Sequence, residues 1–124
     1  MENKDYTVEI LEIIRSNTSP GIMRSRLEDY HANDLAEVFP QLKVSERRKI
    51  CRILDLDMLS DIFEHIDEQE AAEYLDEMDI KKAAAILSAM ETDAVVDVLQ
   101  MIPKEKKNLL IELMDDDARK DMAI

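Results

Sequence analysis

Apolar residues recur along this chain at a spacing of twelve. One register holds Val38, Ile50, Ile62, Tyr74, Ile86, Val98, Leu110 and Met122, and the next holds Phe39, Cys51, Phe63, Leu75, Leu87, Leu99, Ile111 and Ala123. A third register, three residues further on, holds Leu42, Leu54, Ile66, Met78, Met90, Ile102 and Met114. Positions i, i+1 and i+4 share one face of an α-helix, so each row predicts a helix of two to three turns with a single buried stripe. The residue that follows the third register is Lys43, Asp55, Asp67, Asp79, Glu91, Pro103 or Asp115, an acid in most rows. An acid there can accept a backbone N–H and meet the positive end of the helix dipole, which predicts the N-cap of the next helix.

Helices this short do not hold their shape alone, because nucleation is costly and each buries only one stripe. They have to stack. Alternate rows also match at a period of 24, with Leu35, Leu59 and Ala83 opening comparable helices and Leu42, Ile66 and Met90 closing them. The pattern predicts an all-α fold without strands, a right-handed α-solenoid with about 12 residues per helix and 24 per helix pair. The expected pairs are 34–42 with 46–54, 57–66 with 70–78, 81–90 with 94–102, and 105–114 with a helix from 116 onward. Ahead of them, a helix over 4–16 with Tyr6, Ile10, Ile13 and Ile14 inward is expected to cap the open end. The run Ser16-Asn17-Thr18-Ser19-Pro20-Gly21 reads as a linker, and a helix over 22–30 leads into the array. The expected organisation is therefore a capping segment 1–16, a linker 17–21 and one helical-repeat domain 22–124.

Composition supports a folded helical chain and removes several functions. Hydrophobic residues make up 46% of the 124, and one Gly and three Pro leave few tight turns. Without Trp, and with only three Tyr and two Phe, the chain offers no base-stacking platform, and its net charge of −13 repels phosphate backbones. Nucleic acid is not an expected partner. The longest apolar runs, such as Ala83 to Leu87, fall far short of the roughly 20 residues needed to cross a bilayer, so direct membrane insertion is not expected either. A single Cys and the lack of a basic stretch followed by an apolar run point to a reducing, cytoplasmic setting.

No catalytic pattern emerges, and the chain is not expected to be an enzyme. One Gly leaves no phosphate-cradling loop, and no Ser, Cys or Lys is set beside a base in a recognisable motif. Cys51 occupies a core register and reads as a buried, inert thiol. His31 falls in the cap register and His65 on a helix flank, neither with neighbours at zinc-ligand spacing. Of the eight Met, four (Met78, Met90, Met114 and Met122) lie in the core registers, which makes them packing residues first.

Charge changes the picture most. From residue 53 to residue 80 the chain carries eleven carboxylates and no Lys or Arg, so segments 1–52, 53–80 and 81–124 contribute 0, −11 and −2. Asp55, Asp67 and Asp79 belong to the cap register. Glu73, Asp76 and Glu77 lie one 24-residue period after Lys49, Arg52 and Ile53, with Arg47 and Arg48 close by, so pairing between stacked helices is expected for Glu73 and Asp76. Apart from both groups stand Asp57, Asp61 and Glu64, on the outward face of the helix over 57–66. Like charges at i and i+4 repel by a few tenths of a kcal/mol per pair, and cations or a basic partner would relieve that strain.

The run His31-Ala32-Asn33-Asp34-Leu35-Ala36-Glu37-Val38-Phe39, the segment Glu70-Ala71-Ala72-Glu73-Tyr74-Leu75 and the helix Ala83-Ala84-Ala85-Ile86-Leu87 resemble the N-terminal cytosolic domain of the MgtE magnesium transporters. The resemblance spans about residues 25–124. It implies a Mg2+-sensing regulatory domain that lies ahead of a CBS domain pair and a transmembrane domain in a homodimeric protein. It further implies that Mg2+ bound at the face shared with the CBS domain holds the channel closed. By position, it puts the ion-contacting acids at Asp61 and Asp93. Helical geometry adds Asp57 and Glu64. Mg2+ prefers an octahedron of oxygens and gives up water reluctantly, so weak, partly hydrated binding completed by a CBS domain is expected. The alternative is an acidic α-solenoid that docks protein partners, as in flagellar motor switch proteins, with no ion role. A free-standing ion buffer is disfavoured by the lack of an Asp-x-Asp-x-Asp-Gly loop.

Overall fold

The computed structural model describes residues 5–122. Within them are ten α-helices and one short 3-10 turn, and no strand. The helices are α1 (Thr7–Ile14), α2 (Pro20–Leu27), α3 (Ala32–Val38), α4 (Val44–Ile53), α5 (Leu56–Glu64), α6 (Glu68–Asp76), α7 (Ile80–Ala89), α8 (Thr92–Leu99), α9 (Lys104–Leu113) and α10 (Asp116–Asp121). The residues expected to open the first helix before Asp5, and the core position Ala123, lie outside the described residues.

The cap register holds without a break. Lys43, Asp55, Asp67, Asp79, Glu91, Pro103 and Asp115 are the N-caps of α4 to α10 in order. The same spacing reaches back through His31, the N-cap of α3, to Ser19, the N-cap of α2. Three aspartates cap with their side chains: Asp55 accepts from the Met58 N–H at 2.9 Å, Asp67 from Gln69 and Glu70 at 3.2 and 3.4 Å, and Asp79 from Lys81 and Lys82 at 3.0 and 3.3 Å. Each satisfies donors that the first turn would otherwise leave open.

α4, α6 and α8 each begin two residues earlier than expected, and two further boundaries differ through proline. Pro20 and Gly21 belong to α2, since proline at the first helical position has its φ preset and no N–H to waste, so the irregular stretch is only Asn17 to Ser19. The helix expected over 34–42 begins at Ala32 and stops as an α-helix at Val38. Pro40 cannot donate to the carbonyl one turn back, and the chain tightens into the 3-10 turn Phe39–Gln41.

Odd-numbered helices pack in series, α1 on α3, α3 on α5, α5 on α7 and α7 on α9, while α2 packs on α4 and α6 on α8. Helices two apart are therefore neighbours, as stacking of hairpins requires. The apolar registers form the core. Val38, Ile50, Ile62, Ile86, Val98 and Leu110 are buried, and so are Phe39, Cys51, Phe63, Leu75, Leu87 and Leu99. Ile10 and Ile14 of α1 are buried against the same core, with Tyr6 and Ile13 partly so. Three of the five aromatics meet in the middle: Phe39 packs edge-on against Phe63 with centroids 5.8 Å apart and lies 5.9 Å from Tyr74.

Replacing Asp67 or Asp79 by Ala is expected to lower stability to urea by about 1 kcal/mol each, the usual value of a side-chain cap. Glu91→Ala and Asp115→Ala, whose side chains make no cap bond, should change it by no more than a few tenths.

Candidate functional site: the acidic outer face

Eight of the eleven carboxylates of 53–80 divide by what each one holds, and Glu68, Glu70 and Glu73 of α6 make no ion pair among the described residues. Asp55, Asp67 and Asp79 are caps. Glu77 is gripped by Arg47 through two bonds, Nε to Oε2 at 2.8 Å and Nη2 to Oε1 at 2.6 Å. The third nitrogen of that guanidinium donates to the carbonyls of Leu42 at 2.5 Å and Phe39 at 3.3 Å. The group also lies 4.7 Å from the centre of the Tyr74 ring. The Glu77 fork favours the charged guanidinium against the cost of its burial. This cluster fastens α4, the 3-10 turn and α6 together.

Ion pairing across the stack occurs, but with other partners than expected. Asp76 pairs with Lys106 of α9, not with Arg52. Lys49 donates to the Ile14 carbonyl at 3.2 Å and makes no pair with Glu73. A twelve-residue period fixes which positions face the core and says nothing of where two outward side chains meet, so the partners differ from those one period apart. Beneath, the Cys51 thiol is buried and its pKa is pushed up to about 11, which suits the inert role expected of it.

α5 turns Leu59, Ile62 and Phe63 into the core, leaving Asp57 and Asp61 exposed and Glu64 half-buried. No cation among the described residues pairs with Asp57 or Asp61. Asp61 borders a shallow groove of about 360 Å3 between α5 and the turn from α2 to α3, which also holds Glu28 and Asp55. Arg24 bridges those two acids, at 2.9 Å to each, and leaves Asp61 uncompensated.

Glu64 has a structural task that the sequence did not disclose. Its Oε2 accepts the backbone N–H of Glu91 at 3.2 Å, the residue that opens α8. One period of 24 later, Ser88 Oγ accepts the N–H of Asp115 at 3.0 Å in the same way. The 24-residue match of residues 64 and 88, both able to accept, was the available signal. The contact also brings Glu64 to the amino end of α8, whose first turn carries the exposed Asp93. Glu64 thus reaches the backbone two residues before Asp93. Asp57 does not reach there, because seven helical residues span about 10 Å. Among the described residues no three His, Cys, Asp or Glu side chains are gathered to enclose an ion. Both histidines are exposed, and His65 Nδ1 lies 2.8 Å from the Asp61 carbonyl.

A stack of short helices with exposed, unpaired carboxylates on α5 defines an all-helical repeat domain with an acidic outer face. Residues 30–123 match the family described as the MgtE intracellular N domain, and the chain belongs to that family. A crystal structure of the soluble part of a magnesium transporter is similar over 94% of this chain and 46% of its own, with a TM-score of 0.84 and 26% identity. The cytosolic domain of the Mg2+ channel MgtE in complex with ATP is similar over 94% of this chain and 48% of its own, with a TM-score of 0.79 and 25% identity. The chain thus spans about half the length of each of these. No curated protein sequence matches it. No helix among the described residues is long and apolar enough to cross a membrane.

The division of carboxylates predicts opposite responses to substitution. Arg47→Ala should cost about 3 kcal/mol in chemical denaturation, since it strands a mostly buried carboxylate, and Arg47→Lys should not restore it because an ammonium cannot fork. Asp57→Asn and Asp61→Asn should stay within about 0.5 kcal/mol of the parent or be slightly stabilising.

Proposed function

We propose that this chain is the cytosolic Mg2+-sensing regulatory domain of a magnesium transporter. Its acidic outer face supplies carboxylates to ions shared with a CBS domain of the same protein, and so takes part in gating. The observation that carries this reading is the pair Asp57 and Asp61, exposed on α5 at i and i+4 with no cation to answer them. Asp93 is a further exposed acid, in the first turn of α8, whose N-cap Glu91 is bonded by Glu64. Membership of the family and likeness to the soluble part of a magnesium transporter support the cellular setting. They favour it over a flagellar-type docking module.

The arrangement suits the ion's chemistry. Mg2+ takes six oxygens, keeps several of them as water, and needs only one or two carboxylates from any one surface. Asp61 and Asp93 are exposed and unenclosed, so this chain supplies part of a ligand set and a facing domain supplies the rest. Asp57 adds field to the Asp61 end of the stripe, while one Glu64 oxygen is engaged in holding α8. Without cations, this stripe repels another acidic surface; with them, the two surfaces close. The transporter would therefore pass between two arrangements whose balance the ion concentration sets. In that reading the full protein includes a CBS pair and a membrane domain, pairs as a homodimer, and catalyses no reaction.

Thermal melting of the chain in MgCl2 and in NaCl at matched ionic strength tests the ion's preference for this face. When the Mg2+ concentration equals Kd, linkage predicts an extra stabilisation of about 0.4 kcal/mol. The doubly substituted Asp61→Asn, Asp93→Asn chain should lose that increment. An equal response to both salts, or an unchanged increment in the double variant, contradicts the reading.

A further inference from the structure

A groove of about 760 Å3 lies between α4 and the turn from α6 to α7. Three cations border it, Arg48, Arg52 and Lys82, together with the carboxylates of Asp76, Glu77 and Asp79. Counted by formal charge it is neutral. Counted by commitment it is not. Glu77 is forked by Arg47, Asp76 is paired with Lys106, and Asp79 is turned onto the first N–H groups of α7. No carboxylate among the described residues pairs with Arg52 or Lys82, and Arg48 makes one bond, from Nε to the Glu77 carbonyl at 3.0 Å. Two of the three acids are thus neutralised by cations outside the groove, while Arg52 and Lys82 have no carboxylate partner and Arg48 is bonded only to a carbonyl, so the groove carries an excess of positive charge in a chain of net charge −13.

The neighbouring groove shows that this is not a general property of the basic helices. It is bordered by Arg24, Lys49 and Arg52, with a volume of about 420 Å3. There Arg24 is held by Glu28 and Asp55, and Lys49 by the Ile14 carbonyl. Only Arg52, which borders both grooves, is left over.

We propose that the larger groove binds a small, multiply charged, phosphate-bearing anion. Arg48 and Arg52 stand one turn apart on α4 and share a face, so two guanidinium forks can take phosphate oxygens side by side. Lys82 adds a compact charge from α7, across the groove. Its side chain lines the groove together with Cys51. Cys51 and Met78 also line the groove and give an apolar surface for the rest of a phosphate ester. The volume is that of a small-molecule site and exceeds what one inorganic phosphate fills. This inference is independent of the Mg2+ reading, since it uses none of the same residues.

The test is an amide NMR titration of the chain with pyrophosphate, ATP and adenosine, in chelator so that no divalent ion takes part. Saturable shifts centred on residues 48, 52 and 78–82 are expected with pyrophosphate and ATP, and none with adenosine. The Arg52→Gln, Lys82→Gln chain should bind about tenfold or more weakly, as loss of charge-assisted bonds requires, while Lys120→Gln on α10 binds as the parent does. ATP binding tighter than pyrophosphate identifies an ester as the ligand, equal affinity identifies the polyphosphate alone, and both support the site. Non-saturating shifts, shifts spread equally over Lys104 and Lys120, or unchanged affinity in a double variant whose circular dichroism shows it folded, overturn it. So does tighter saturable binding of an acidic peptide than of either phosphate, which would make the groove a protein-docking surface.

Discussion

The structure depends on one constraint, that a helix must start every twelve residues. From Ser19 to Asp115 the N-caps keep that interval through nine helices. No helix is long enough to persist by itself, and each has one apolar stripe to hide. Equal intervals return that stripe to the same side, so helices two apart meet and the core runs the length of the chain. A helix one residue longer would turn its stripe away from the neighbour it should cover. The side-chain caps of Asp55, Asp67 and Asp79 are thus part of the packing mechanism as well as of the local energetics.

The same constraint sorts the charges. Three acids of the cap register, Asp55, Asp67 and Asp79, bond helix starts, and Asp76 and Glu77 are taken up in ion pairs, of which Arg47 with Glu77 is the most enclosed. The middle of the chain has no bases of its own, so the outer face of α5 is left with carboxylates that nothing in the fold answers. Arg52 and Lys82 are left without a carboxylate partner for the converse reason: the acids beside them are already engaged. Function is read from these residues of the accounting, since groups that the fold has satisfied have little to offer a ligand.

The periodic part of this structure was legible in the sequence. Seven caps from Lys43 to Asp115 and the core positions from Val38 to Leu110 follow from a twelve-residue register alone. Where the reading missed, a local property overrode the period. Pro20 looked like a breaker and is a helix start; Pro40 cut α3 short. The pairing of Asp76 with Lys106 depends on where two outward side chains meet, which no period states. Glu64 looked like one more outward acid, yet it bonds the first N–H of α8 from 27 residues away. Asp61 and Asp93 were named by resemblance; the groove that Asp61 shares with Glu28 and Asp55 belongs to three-dimensional structure and has no signature in spacing.

The central claim is that the unanswered acids of α5 and the start of α8 are where a divalent cation comes to this chain, ahead of every other cluster of carboxylates on it. Mn2+ can stand in for Mg2+ at oxygen sites, and its unpaired electrons broaden the amide signals nearest to it. Adding substoichiometric Mn2+ to the labelled chain and following which amides broaden first locates the ion directly. The account predicts early broadening at residues 57–64 and 91–93, reversed by excess Mg2+. Broadening that begins instead at Asp115 to Asp117, or that spreads evenly over all carboxylates, would contradict it.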